Sequence, residues 1–213
     1  GNASLDSNSA ITLGNNFVLN AGLTVLGSND LTLNGNLSGT GFLTKEGLAT
    51  LTLNGTNTYS GGTNINAGTL ALGAGASLLA SGTVNLATGA TFDLSAGAGT
   101  QVFGTLIGNG TVNLGANTLT IGDASNGTFG GSIAGTGGLI KEGTGTETLT
   151  GTNTFTGGTT INAGTLAIGA GGSLAATGAV TLANAGTAFD ISAGGNQSIG
   201  SLAGVAGSSV ALG

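Results

Sequence analysis

The chain has 213 residues, a formal net charge of −6 and 46 glycines, and it lacks proline, cysteine, methionine, tryptophan and histidine. Two lysines are its only cationic side chains, which excludes the basic clusters that nucleic acid and anionic membrane surfaces require. The absence of cysteine excludes disulfides, thiolate metal sites and cysteine nucleophiles. With 39% apolar residues, the chain is too hydrophobic for disorder, so its glycines are expected at turns.

Short stretches of alternating apolar and polar residues recur along the whole chain. Fourteen of them are predicted as strands, at residues 10–13, 17–19, 23–26, 31–33, 51–53, 69–72, 84–86, 91–94, 112–114, 119–121, 139–140, 166–168, 180–182 and 189–191. Such alternation is typical of half-buried strands. No stretch combines helical spacing with freedom from glycine, so almost no helix is expected.

The short strands and short connections favour one all-β architecture. Antiparallel hairpins would show strands of matched length around two-residue turns, and a sandwich would show longer strands. A parallel β-helix, or β-solenoid, instead builds each coil from three short strands with glycine and asparagine at the corners. With on the order of 20 residues per coil, we expect roughly ten coils.

A long stretch of the sequence occurs twice, 96 positions apart: Lys45 matches Lys141, and Leu70 matches Leu166. The repeat predicts one continuous solenoid over residues 1–213, with units at about 37–132 and 133–213 and a partial preceding unit at 1–36. The pattern breaks off at Gly213 where the first unit continues. This break and the missing initiator methionine lead us to expect a fragment or a processed product.

The repeated motif reads Gly-x-Gly-x-Leu-x-Lys-x-Gly, then Leu-Thr-Leu-x-Gly, then Asn-Thr-Tyr-x-Gly-Gly-Thr-x-Ile-x-Ala-Gly-Thr-Leu. It resembles the passenger-associated transport repeat of bacterial autotransporters, also called the autotransporter-associated β-strand repeat. The predicted structural positions are Gly39, Gly41, Lys45, Gly47, Gly61, Gly62, Thr63 and Gly68, with Gly135, Gly137, Lys141, Gly143, Gly157, Gly158, Thr159 and Gly164 in the second copy. The second copy departs from the motif at Glu147, where the first has Leu51, which is expected to weaken one strand.

The resemblance implies a right-handed β-helix that is exported through an outer-membrane β-barrel translocator and folds outside a Gram-negative-type bacterium. The predicted location is therefore the cell surface or the extracellular space. The predicted function is a structural segment that acts as a stalk, an adhesin shaft or a fibre-forming subunit, with no enzymatic activity and no cofactor or metal. End-to-end association into a homo-oligomer or filament stays open, as does binding of a glycan or a host-surface receptor.

Polar residues of the motif allow two interpretations. Stacked corner asparagines form amide ladders between coils, whereas exposed asparagine with an aromatic ring binds sugars. The candidates for either role are Asn57, Tyr59, Asn66, Asn153, Phe155 and Asn162. A carbohydrate-binding adhesin is therefore the alternative function. The pairs Lys45-Glu46 and Lys141-Glu142 are expected to flank strand edges and to resist lateral aggregation.

Two further features are weaker candidates for chemistry. Asp93 and Asp190 occupy matched positions, but they lie a full repeat apart and have no arginine or histidine to assist them. A polysaccharide-degrading β-helix enzyme, which needs paired acids, is thus a remote alternative. Residues 122–127 resemble a calcium loop superficially, but they lack its spaced acids, and a turn is expected there.

Overall fold

The computed structural model describes residues 1–78, 82–97 and 100–213. These residues form short strands and contain no helix long and apolar enough to cross a membrane. The strands are β1 (Ala3–Leu5), β2 (Ile11–Leu13), β3 (Phe17–Val18), β4 (Leu23–Val25), β5 (Leu31–Leu33), β6 (Leu37–Ser38), β7 (Leu43–Lys45), β8 (Thr50–Leu53), β9 (Thr63–Ile65), β10 (Thr69–Leu72), β11 (Val84–Leu86), β12 (Thr91–Asp93), β13 (Gln101–Phe103), β14 (Leu106–Gly108), β15 (Thr111–Asn113), β16 (Leu119–Ile121), β17 (Gly127–Phe129), β18 (Ser132–Ala134), β19 (Leu139–Lys141), β20 (Thr146–Leu149), β21 (Thr159–Ile161), β22 (Thr165–Ile168), β23 (Ala179–Leu182), β24 (Ala188–Asp190), β25 (Ser201–Gly204) and β26 (Ser209–Ala211).

The strands stack into three sides of a parallel β-solenoid. Side one is an 11-stranded sheet that runs from β1 to β26, side two is a 7-stranded sheet from β2 to β18, and side three contains the pair β3-β6 and a 6-stranded sheet from β13 to β25. The strands of side one bound ten turns of the chain. The predicted all-β solenoid of about ten coils is confirmed, while its right-handed winding stays a prediction.

The core is a column of aliphatic side chains that point inward from successive coils. On side two, Leu33, Leu53 and Leu72 stand in register in β5, β8 and β10, and all three are buried. Burial of each such side chain stabilises the fold by roughly 1.5–3 kcal/mol. The alternate residues between them face outward, as the period-two pattern predicts.

All fourteen predicted strand segments overlap an observed strand. The strands that the pattern misses include β7, β9 and β17, which place Lys45, Thr63 and Gly127 at inward positions. Polar residues and glycine at these positions interrupt the apolar alternation, so the sequence pattern does not reveal the strands there.

The two copies of the repeated motif lie on different sides of the solenoid. The motif strand β7 belongs to side one, whereas its copy β19 belongs to side three. The bonds between coils agree with this shift: Thr58 N–H donates to the carbonyl of Leu37 in β6 on side three, at 2.7 Å. The matching bond, from Thr154 to Ile133 in β18, lies on side two, at 2.8 Å. From β7 to β19 the chain makes four turns and passes two further sides.

Candidate functional site

The two motif lysines point into the solenoid. Alternation along Leu43-Thr44-Lys45 places the lysine on the inner face of β7, where its register partners are Val25 and Ile65. Lys45 is 0% exposed and Lys141 is 1% exposed. The expectation that these lysines flank strand edges was therefore wrong: their apolar stems pack within the core.

The ammonium group of Lys45 closes the corner that follows β7. Its Nζ donates to the carbonyls of Glu46 at 2.5 Å and Gly47 at 2.8 Å. A third bond, 3.3 Å long, reaches the carbonyl of Ala67 in the next coil. We call Lys45, Glu46, Gly47, Asn66 and Ala67 lysine corner one. The buried cation thus satisfies carbonyls at a bend where no strand can pair with them.

The second copy builds the same arrangement, lysine corner two, from Lys141, Glu142, Gly143, Asn162 and Ala163. Lys141 Nζ donates to the carbonyls of Glu142 at 2.5 Å and Gly143 at 2.9 Å. Its third bond runs 3.4 Å to Ala163 in the next coil. Two corners on different sides of the rod therefore use one set of contacts, which indicates that the motif encodes them locally.

Burial lowers the pKa of both lysines. For Lys45, the carboxylates of Glu46 and Asp30 partly oppose the effect of desolvation. For Lys141, the opposing carboxylates are Glu147, Glu142 and Asp123. The surrounding carbonyls and carboxylates thus offset part of the cost of burying each ammonium group.

Gly47 and Gly143 allow the chain to turn directly after each lysine. Their φ angles are 64° and 66°, in the left-handed region that side chains with a Cβ rarely adopt. A Cβ on Gly47 would also lie 2.1 Å from the carbonyl oxygen of Leu26 in the preceding coil. Both conformation and space therefore require glycine at these two positions.

The other motif glycines are required for the same two reasons, a positive φ angle or a lack of room for a Cβ. Positive φ angles occur at Gly39, Gly62, Gly68, Gly135, Gly158 and Gly164. An added Cβ would lie within 2.6 Å of backbone in the preceding coil at Gly41, Gly61, Gly137 and Gly157. Thr63 and Thr159 are buried at inward strand positions.

The glutamates of the corners face outward and bond the next coil. Asn66 Nδ2 donates to Glu46 Oε1 at 2.7 Å, and Asn162 Nδ2 donates to Glu142 Oε1 at 2.6 Å. The two residues of each lysine–glutamate pair therefore have different roles. The lysine stabilises the inner side of the corner, and the glutamate stabilises the outer side.

Replacing Glu46 with alanine is expected to destabilise the protein by only about 0.5–1.5 kcal/mol, because its bond to Asn66 lies at the solvent-exposed surface. Urea unfolding of the variant measures this effect, and Glu142→Ala in the second copy is the matched replicate. A loss above about 3 kcal/mol would contradict the peripheral role of the outer bond.

Asn57 and Asn153 join three coils from inside the protein. Asn57 Oδ1 accepts from Leu37 N–H at 3.0 Å, and its Nδ2 donates to the carbonyls of Gly55 at 2.8 Å and Ser77 at 3.0 Å. Asn153 makes the corresponding bonds to Ile133, Gly151 and Ser173. These two asparagines therefore join neighbouring coils through bonds to backbone groups, and not through the bonds between asparagine side chains that an amide ladder would have.

Amide-to-amide contacts of the ladder type occur elsewhere on the outer surface. Asn54 Nδ2 donates to Asn34 Oδ1 at 2.7 Å, and Asn85 Nδ2 donates to Asn64 Oδ1 at 3.4 Å. Each contact joins adjacent coils.

The two aromatic candidates lie in the core. Tyr59 is 3% exposed and Phe155 is 2% exposed. The Tyr59 hydroxyl bonds Thr63 Oγ1 at 2.6 Å, and burial raises the pKa of this phenol. A sugar ring cannot stack on rings that the protein itself covers, so this geometry supports a packing role.

The acids proposed for chemistry cap turns. Asp93 Oδ1 accepts from Ser95 N–H at 2.9 Å, and Asp190 Oδ1 accepts from Ser192 N–H at 2.9 Å. In residues 122–127, Asp123 Oδ1 accepts from Ser125 N–H at 2.6 Å. Among the described residues, no group of three or more potential ligand side chains could hold a metal ion.

Glu147 is a further residue whose position the sequence reasoning missed. Strand β20 forms with its alternation intact, and Glu147 lies on the inner face at 2% exposure. Burial raises the pKa of its carboxyl group to about 8. Its alignment with Leu51 was the available signal, because a residue that replaces a core leucine occupies the core.

The conserved geometry of the two corners coincides with a known repeat. The model of the passenger-associated-transport-repeat family matches residues 43–72 and 139–168. The chain carries two passenger-associated transport repeats. Each repeat spans one lysine corner together with the inter-coil asparagine, Asn57 or Asn153, and the aromatic residue that follows it.

Comparison with curated proteins gives a consistent result. The chain is 55% identical over 119 residues to "Adhesin BmaC autotransporter" of Brucella suis biovar 1 (strain 1330). The aligned stretch covers 56% of this chain and only 3% of that adhesin. No solved structure matches the chain. Together with the solenoid, the two repeat matches support a structural passenger segment of the autotransporter type, exported across the outer membrane and exposed at the surface.

Proposed function

We propose that this segment is a non-enzymatic shaft that extends a surface protein by stacking coils. The observation that carries the proposal is the use of the motif's polar side chains inside the fold. Lys45 and Asn57 are buried and donate to backbone carbonyls of adjacent coils. The distinctive polar side chains of each transport repeat thus form hydrogen bonds between successive coils. Such contacts between neighbouring coils are what stabilises a solenoid rod.

The arrangement of the acids supports a non-enzymatic role. Asp93 lies on β12 of side two, whereas its counterpart Asp190 lies on β24 of side one. Glycosidic cleavage by paired carboxylates needs two groups within about 10 Å that flank one bond. Two acids on different sides and several coils apart do not provide that pair.

An outer-membrane β-barrel translocator is the proposed partner during export. The transport repeats and the similar autotransporter adhesin support this partner. A chain that crosses as an unfolded polypeptide benefits from the absence of cysteine, because no disulfide can lock a loop before passage.

The adhesin named among the relatives supports a second candidate, a segment that contacts a receptor. The buried Tyr59 and Phe155 do not provide the sugar platform considered from the sequence, so any glycan or host contact would use other outward residues. End-to-end association is a separate proposal. Apolar side chains such as Ile11 and Leu202 are exposed on the outermost coils, where another coil of this chain or a second copy would cover them.

The shaft proposal predicts a rod in solution. Ten turns at about 4.8 Å per coil give a length of about 50 Å, and X-ray scattering of the purified chain is expected to show a particle of that length. When the chain is fused to an outer-membrane translocator, an N-terminal epitope is expected to bind antibody on intact cells.

Three outcomes would overturn parts of this proposal. A compact particle in scattering would exclude a shaft, and hydrolysis of a polysaccharide by the purified chain would exclude the non-enzymatic role. Sedimentation that stays monomeric at all concentrations would exclude end-to-end association, while leaving the shaft intact. An array of glycans gives the corresponding test of the receptor-binding candidate, which fails if no glycan binds.

A further inference from the structure

A carboxyl group replaces an aliphatic side chain in the core of the second repeat. Glu147 on β20 has Gly127 and Leu166 as its register partners in the adjacent coils. In the first repeat the same position is Leu51, between Leu31 and Leu70. The chain therefore contains its own reference: one apolar coil and one coil with a buried acid at the same place.

Gly127 provides the room for this carboxyl group. A Cβ at Gly127 would lie 2.2 Å from Glu147 Oε2 and 2.7 Å from Thr105 Cγ2. The side chain of Glu147 thus extends over the glycine toward the preceding coils, where Leu106 N–H donates to it. In the first repeat Leu31 fills the corresponding space, so the change to glycine and the change to glutamate fit together.

The carboxyl group has an incomplete set of partners. Glu147 Oε1 is buried and has no hydrogen-bond partner among the described residues. The charged groups that act on it are Lys141 and Asp123. The ammonium group of Lys141 is already committed to three carbonyls, and Asp123 accepts from Thr105 Oγ1 at 3.3 Å. Glu142, the third acid near Lys141, bonds Asn162 on the outer side.

We propose that Glu147 makes the second repeat proton-sensitive: its coil closes with a neutral carboxyl group and loosens when that group ionises. A carboxylate in an apolar core with one oxygen left without a partner loses most of its solvation. A neutral carboxyl loses far less, and it can share the available donor from Leu106. Acidification therefore tightens the rod at β20, and alkaline conditions weaken it there.

The sign follows from comparing the folded and unfolded states. The carboxyl group has an ordinary value of 4.5 when unfolded, whereas burial raises its pKa to about 8 in the fold. Below pH 4.5 the carboxyl group is protonated in both states, and it does not change the equilibrium constant for opening. Between the two values folding takes up a proton, so the equilibrium constant for opening rises up to tenfold per pH unit. Above about pH 8 the equilibrium constant for opening stays constant, about three thousand-fold higher than below pH 4.5.

Carboxyl-labelled glutamate tests the proton directly in the intact chain. Glu46, Glu142 and Glu147 are the only glutamates, so 13C NMR of the labelled protein gives three carboxyl signals, and loss of one signal in Glu147→Gln identifies it. We expect the Glu147 signal to titrate near pH 8. Titration below pH 5 would overturn the proposal, and the wild-type protein still decides the matter if the variant does not fold, because Glu46→Gln and Glu142→Gln identify the other two signals.

Amide hydrogen exchange tests whether the proton controls opening. After correction for intrinsic base catalysis, protection of Thr148 and Leu149 in β20 is expected to fall between pH 5 and 8. Thr52 and Leu53 occupy the same positions in β8 and are expected to show no such loss. Glu147→Leu, which installs the residue of the first repeat, is expected to remove the loss, whereas Glu142→Gln is expected to retain it. An unchanged pH dependence in Glu147→Leu would show that the carboxyl group does not govern opening.

Discussion

Replacing Asn57 with aspartate is expected to destabilise the protein by about 3–5 kcal/mol at neutral pH. The new carboxylate can still accept from Leu37 N–H, but it cannot donate to the carbonyls of Gly55 and Ser77 that the amide bonds now. It also introduces a charge at a position that is 1% exposed. Urea unfolding measures the loss.

The same variant is expected to regain stability on acidification, because a buried aspartate has a raised pKa and its neutral form costs less to bury. Asn153→Asp repeats the experiment in the second copy, and Asn85→Asp is the control at an outward position. Equal losses in Asn57→Asp and Asn85→Asp would contradict the special role of the buried amide.

Replacing Lys45 with methionine is expected to lower the free energy of unfolding by roughly 2–4 kcal/mol. Methionine keeps most of the apolar stem, but the carbonyls of Glu46, Gly47 and Ala67 lose their donor. Each buried acceptor without a partner costs about 1–3 kcal/mol, and removing the buried ammonium group returns part of that cost. Unfolding in urea and exchange of the amides around the corner measure the net effect.

Above about pH 8, where Glu147 is ionised, Lys141→Met is expected to destabilise the protein more than Lys45→Met, since Lys141 then also offsets the buried carboxylate of Glu147. In the double variant Lys141→Met/Glu147→Leu, this additional loss is expected to disappear. A double variant as unstable as Lys141→Met alone would show that the carbonyls of lysine corner two account for the whole effect.

The sequence is sufficient to predict the fold because its period-two pattern is strong wherever the inward residue is aliphatic. Leu31, Leu33, Leu51 and Leu53 mark β5 and β8 in this way. The sequence does not predict that Lys45 is buried, although the alternation already placed this lysine on the same face as Leu43. The charge of a lysine suggests that it is exposed. Only the structure shows that three backbone carbonyls at the corner accept hydrogen bonds from its ammonium group.

The roles of the asparagines divide in a similar way. Residue type predicts that Asn57 joins coils, but the partner depends on which groups lie opposite it, and these are backbone groups from three coils. Glu147 depends on Gly127, twenty positions earlier. Which residues of adjacent coils lie opposite each other depends on the number of residues in each coil. This number varies along the chain, and no local sequence pattern reveals it.

The side change between the two transport repeats has a consequence for longer proteins built from this unit. Each 96-residue step carries the motif from one side to another, as from β7 to β19, so three equal steps would bring it back to its starting direction. A tandem series would therefore wind its corners around the shaft like the thread of a screw. Along one straight seam, neighbouring shafts would meet a lysine corner only once in every three repeats, whereas each of the three sides would present the same features to a receptor at regular heights.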